Sequence, residues 1–132
     1  TNIHPNRQEL EDLIFAWKVV KQVKSNGIVF VKNGATVGIG SGQPSRIDST
    51  MTAIEKSEKM REDMRLKSSP LVGAIMASDA FFPFSDSLEK AVSKGIKSVI
   101  QPGGSIRDAE VIDFANNKGV SMVFTGIRAF KH

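Results

Sequence analysis

Cysteine is absent from this 132-residue sequence. Its absence excludes a disulfide framework, a thiolate-bound zinc and a cysteine nucleophile. It also fits a reducing, cytoplasmic setting. Histidine is nearly absent: the two residues, His4 and His132, lie near the ends. No serine–histidine arrangement has support, and no metal ligand set is expected. No apolar run approaches the roughly 20 residues needed to span a bilayer. No signal peptide opens the sequence, so no membrane association is expected. Internal repeats, linkers and low-complexity segments are lacking as well, and residues 1–132 read as one domain. The chain opens on Thr1 rather than Met, and is therefore expected to be a piece of something longer.

Hydrophobic residues make up 40% and charged residues 24%, which describes a globular chain and not a disordered one. A chain of this size buries roughly two-thirds of its unfolded surface, enough for a real core. The net charge of +4 is mildly basic. It suits a nucleic-acid face, a phosphate pocket or simple solubility. The charges alternate in sign over residues 55–63, the pattern of a solvated helix face. No basic stripe with interleaved aromatics is present, so no nucleic-acid partner is expected.

Apolar side chains recur at helical spacing over residues 8–24, at Leu10, Leu13, Ile14, Trp17, Val20 and Val23. Ser25-Asn26-Gly27 should end that helix. Residues 28–32 read as a strand. Asn33-Gly34 signals a two-residue hairpin, and residues 36–39 return as its partner. A glycine-rich turn leads into a helix from Ser45 or Arg46 to Met64. Strands are then expected at 72–77, 96–101 and 120–124, with helices at 87–94 and 107–118 stopped by Gly95 and Gly119. Strands alternating with helices imply parallel pairing with right-handed crossovers, and the leading hairpin adds one antiparallel strand. The expected fold class is α/β: a three-layer α/β/α sandwich, its sheet mixed but mostly parallel.

In such sheets ligands bind beyond the carboxyl ends of the parallel strands. Three chemically unusual loops are expected there. Residues 78–84 (SDAFFPF) cluster aromatic rings, suited either to stacking on a flat heterocycle or to plugging the sheet edge. Asp86, just beyond, suits either a ligand contact or a helix cap. Residues 101–105 (QPGGS) bring backbone N–H groups to a helix start, suited to an anion or a heterocycle edge, or to an ordinary turn with Ser105 as cap. Arg128 suits a phosphate grip or an inert surface position. A fourth oddity is Arg46, a cation in the first turn of a helix, where the dipole favours acids. That misfit points to a functional reason. Deaminase-like sandwiches share this order of elements and bind zinc through His and Cys near two helix starts. Here those stretches are Ser45-Arg46-Ile47-Asp48 and Ser78-Asp79-Ala80-Phe81, so no zinc is expected.

Five ordered motifs carry a family resemblance. They are LIFAWKVVK at 13–21 with Lys24-Ser25-Asn26, VGIGSGQPSR at 37–46, SDAFFPF at 78–84, QPGGSIRD at 101–108 and FTGIRAFKH at 124–132. Together they resemble the C-terminal half of the transformylase domain in the AICAR transformylase/IMP cyclohydrolase family. The resemblance implies a cytidine-deaminase-like half-domain without zinc. It also implies formyl transfer from formyl-tetrahydrofolate to the AICAR nucleotide, and a homodimeric parent with active sites at the subunit interface. By motif, Asn26, Arg46, Phe81 and Arg128 would contact the nucleotide, with Arg128 on its phosphate. Ile47, Asp86, Ser105 and Ile106 would contact the reduced folate. The family's catalytic lysine–histidine pair lies in the first half of the domain. Lys131-His132 matches the family's tail and not that pair, so this chain carries no catalytic residue of its own and is expected to be inactive alone. A free-standing nucleotide- or folate-binding module is the alternative. On either reading, Phe81, Ser105 and Arg128 should converge on one rim.

Overall fold

The computed structural model describes residues 1–82 and 85–127. Helix α1 (Arg7–Val20) is followed by strands β1 (Ile28–Lys32) and β2 (Ala35–Gly40), then α2 (Arg46–Asp63), β3 (Ile75–Ser78), α3 (Asp86–Ser93), β4 (Ser98–Gln101), α4 (Asp108–Lys118) and β5 (Ser121–Phe124). The strands form one five-stranded sheet in the order β2-β1-β3-β4-β5. β1 runs antiparallel to both neighbours, while β3, β4 and β5 are mutually parallel. The α/β sandwich read from the sequence is therefore present, and β1 is its one reversed strand.

Local chemistry accounts for the starts of α1 and α2 and for the hairpin. Asn6 caps α1 by accepting the Glu9 N–H at 2.8 Å, and Ser45 caps α2 by accepting the Asp48 N–H at 3.1 Å. Asn33 and Gly34 take φ of 50° and 78°, the positive pair a tight hairpin needs. Alternation along β1 divides the core in two. Ile28 and Phe30 face a cluster with Ala53 and Ile54 of α2, Leu88 and Ala91 of α3, and Val111 and Ala115 of α4. Val29 and Val31 face the opposite layer, where Leu13, Ala16 and Val20 of α1 cover Ile75, Ala77 and Ile100. Each fully buried aliphatic side chain contributes about 1.5–3 kcal/mol relative to exposure.

Two expectations are corrected. The inward stripe of α1 is Leu13, Ala16 and Val20, while Leu10 and Ile14 are 41% and 46% exposed. A helix packed on one face of a sheet buries a narrower stripe than its apolar residues suggest. Strand β3 begins at Ile75 and not at residue 72, because Val72 is exposed and Gly73, at φ 78°, turns the chain. The Gly73 N–H donates to Gly95 O at 2.9 Å, which ties this turn to the end of α3.

α2 lies in backbone contact with β2. A Cβ on Gly38 would collide with the carbonyl of Ala53, and one on Gly40 with that of Ser49. Those two glycines let the helix approach closely enough to place Arg46 at the sheet edge.

Candidate functional site

The described parts of the five sequence motifs lead to one edge of the sheet. The carboxyl ends of β3, β4 and β5 lie side by side, and Ile28 at the start of β1 pairs with both Gly40 and Ser78. Hydrogen bonds continue past the strand ends. Asp79 N–H donates to Gly27 O at 3.2 Å, Thr125 N–H to Gln101 O at 2.9 Å and Gly126 N–H to Pro102 O at 3.0 Å.

The most developed feature of this edge is a buried polar corner built around Arg46. Arg46 is 8% exposed. Its Nη1 donates to the Asp79 carboxylate and to Gly27 O at 3.3 Å, and its Nη2 donates to Asn26 Oδ1 at 2.9 Å. Asn26 Nδ2 donates in turn to Gln43 O at 2.9 Å, and Asn26 O accepts from Ser49 Oγ at 2.6 Å. Ser25 Oγ donates to Asp79 Oδ2 at 2.8 Å. Asn26 and Arg46, both expected to contact the nucleotide, are thus directly bonded. A guanidinium has five N–H donors. Three are used in these bonds, which leaves one Nη2 N–H and the Nε N–H. Nε is buried without a hydrogen-bond partner.

The other expected residues are distributed around this corner. Ile47 adjoins Arg46 at the start of α2 and is half-buried, and Phe81, half-buried, lies two residues beyond Asp79. Its neighbour Phe82 is fully buried in the core, so the aromatic loop is in part a plug. Asp86 opens α3 and accepts the Ser87 N–H at 2.8 Å, while remaining exposed. Ser105 does not cap α4. Its Oγ accepts the Arg107 N–H at 3.0 Å, and the residue before α4, Arg107, makes no side-chain cap. Instead Asp108 reaches back to accept the Gly104 N–H at 2.8 Å and the Ser105 N–H at 3.1 Å. The backbone donors expected to await an anion are therefore held by a carboxylate of the same chain. Ile106 projects fully into solvent. Arg128, Pro83 and Phe84 lie outside the described residues, so the expected rim is described at Phe81 and Ser105, on the adjacent ends of β3 and β4.

Residues 79–82 lie in the loop read from the sequence, and α3 begins at Asp86, one residue earlier than read. Asp79, read there only as part of a loop, is fully buried and is the counter-ion of Arg46. The available signal was a charged residue directly after the apolar strand Ile75–Ser78. A zinc ion of the deaminase kind does not fit these residues, because a guanidinium does not ligate metal. Among the described residues, no group of three His, Cys, Asp or Glu is placed to hold a metal ion.

The fold defines a class. A cyanophage S-TIM5 dCMP deaminase aligns with a TM-score of 0.58 at 19% identity, covering 92% of this chain and all of that one. The Thermotoga maritima diaminohydroxyphosphoribosylaminopyrimidine deaminase/reductase aligns at 0.51 and 21% identity, over 89% of this chain and 35% of that one. The protein is a deaminase-like α/β sandwich in which an arginine–aspartate pair occupies the corner between β1, α2 and β3.

Sequence comparison narrows the class. The model of the AICARFT/IMPCHase bienzyme family matches residues 1–56. Bifunctional purine biosynthesis proteins PurH are similar over far more of the chain. The Persephonella marina protein is 57% identical over the whole chain and 24% of its own length, and the Aquifex aeolicus protein 54% over the whole chain and 25% of its own. The chain is similar to the AICARFT/IMPCHase bienzyme family over the matched residues, and it spans about a quarter of the length of these curated relatives. Among the described residues no helix is long and apolar enough to cross a membrane.

Proposed function

We propose that this chain is the C-terminal half of an AICAR transformylase domain and supplies much of its binding surface. The reaction is transfer of a formyl group from formyl-tetrahydrofolate to the amine of the AICAR nucleotide. The parent protein would be a cytoplasmic homodimer that also carries IMP cyclohydrolase activity. The observation that carries the reading is the bonded Asn26–Arg46 pair, with Arg46 buried, at the sheet edge to which the family motifs lead.

The chemistry suits such a site. The amine of AICAR is a weak nucleophile because its lone pair is delocalised into the ring and carboxamide. Fixed orientation and proton removal both accelerate such a reaction. The remaining Nη2 N–H of Arg46 is a donor for the carboxamide or the formyl oxygen. Phe81 supplies an aromatic surface against the base, and Arg128 a charge for the phosphate. Ile47 and the exposed Ile106 supply apolar surface to the pterin or its linker, and Asp86 and the Ser105 hydroxyl supply polar contacts. The Gly104 and Ser105 N–H groups are already bonded to Asp108, so folate binding relies on side chains in this loop. The base is left to the lysine–histidine pair of the other half-domain.

Formyl transfer by the complete polypeptide tests the reading. Arg46→Ala should lower kcat/KM by about 100-fold or more, in line with removal of a preorganised donor. The 132-residue chain alone should show no turnover. Normal turnover by the isolated chain, or full activity of Arg46→Ala, would overturn the assignment.

A further inference from the structure

One acidic side chain of the buried corner has no role in the account above. Asp79 directly follows β3 and its side chain is fully buried. Its two carboxylate oxygens are divided: Oδ1 accepts from Arg46 Nη1, and Oδ2 accepts from Ser25 Oγ at 2.8 Å. Its backbone N–H donates to Gly27 O, the same carbonyl that receives Arg46 Nη1. The fit is close. A Cβ at Gly27 would lie 3.1 Å from Asp79 Oδ2 and 2.8 Å from Val23 Cγ2.

Stability is a weak reason for such a pair. Apolar residues of similar volume generally replace a buried ion pair at no loss. Orientation is a stronger reason. An arginine side chain holds about 2 kcal/mol of rotamer entropy, and an unanchored guanidinium samples many directions. Here Nη1 is fixed between Asp79 and Gly27 O. That sets the guanidinium plane, which directs Nη2 at Asn26 Oδ1. The Asn26 amide is fixed in turn, with Nδ2 on Gln43 O. Asp79 also holds Ser25, the residue before Asn26, from the other side. Both nucleotide-contacting residues of this corner are therefore held by one carboxylate.

We propose that Asp79 is the positioning residue of the formyl-transfer site, setting the direction of the Arg46 donor and, through it, of the Asn26 amide. The proposal rests on the function proposed above. Asp79 touches no substrate and takes no proton; it acts through Arg46 and, on its other oxygen, through the Ser25-Asn26 segment.

The test uses the complete polypeptide, with active sites counted by titration with a tight-binding nucleotide analogue. Asp79→Asn should reduce kcat/KM per counted site by roughly 100-fold, the size of effect expected from a misplacement near 1 Å. The KM for AICAR should rise with it. A purely structural role would reduce the number of sites and leave KM and the per-site rate unchanged, and that result would sink the proposal. The double variant Arg46→Ala/Asp79→Asn should lose far less than the two single losses multiplied together, since most of the Asp79 effect runs through the missing guanidinium; fully additive losses would also count against it. If Asp79→Asn does not fold, Ser25→Ala serves instead, with an expected rise in the KM for AICAR of about threefold to tenfold; no change there rejects the proposal. An active Arg46→Ala would instead remove the functional reading, which separates the two failures.

Discussion

The Asp12 carboxylate of α1 accepts the Gly34 N–H at 2.9 Å, joining the first helix to the tip of the first hairpin. Its other oxygen accepts the Asn33 N–H at 3.2 Å, and Gln8 Nε2 donates to Oδ1 at 3.2 Å. Asp12 is buried, and this explains an acid within the inward part of the helix. Asp12→Ala should lower stability by about 1.5–3 kcal/mol, the range for hydrogen bonds to a charged acceptor. Urea unfolding would register this as a lower midpoint at unchanged slope. Asp12→Asn, which keeps one acceptor oxygen, should fall between the two.

Gly40→Ala tests the close seat of α2 on β2. The added methyl meets the Ser49 carbonyl, a backbone group that cannot swing aside. Overpacking of this kind costs about 1–3 kcal/mol and shifts the helix. Thermal unfolding should show a lower midpoint, and the Arg46 side-chain resonances should move. An unchanged melting temperature would mean that the helix seats more loosely than described.

Asp108→Ala should free the Gly104 and Ser105 N–H groups and remove an acid from the first turn of α4. The loss should be about 1 kcal/mol, as for a capping residue. Amide hydrogen exchange at Gly104 and Ser105 should accelerate, while exchange in the β4 core stays slow.

Ile106→Ala should leave stability within about 0.5 kcal/mol, because the side chain is fully exposed. On the proposed function the same change should raise the KM for the folate several-fold without altering that for AICAR. Equal effects on both substrates would argue against a folate contact at this loop.

The order of elements was legible because strong local signals marked it. Asn33-Gly34 announced the hairpin, Ser45 the start of α2, and Gly119, at φ 69°, the end of α4. The edge on which the motifs gather followed from strand direction alone. Less legible was which apolar residues of α1 turn inward. Leu10 and Ile14 share its helical spacing, and periodicity does not separate a residue over the sheet from one flanking it.

The candidate site was legible in half. Arg46 stood out as a cation where the helix dipole disfavours one. Its partner did not, since Asp79 is far away in sequence and an aspartate after a strand reads as an ordinary loop residue. The same holds for Asp108. Its carboxylate fills backbone donors that, on the sequence alone, are open to a ligand. Local patterns reveal a residue out of place more readily than the distant residue that accommodates it.

The glycine pair on β2 leaves no cushion between an outer strand and the helix that begins at Arg46. Side chains absorb small displacements by changing rotamer; two backbones in direct contact transmit them. Whatever leans on the rim of the sheet at β2 is therefore felt at the guanidinium, so the β2–α2 contact works as a rigid lever with its short arm at the polar corner.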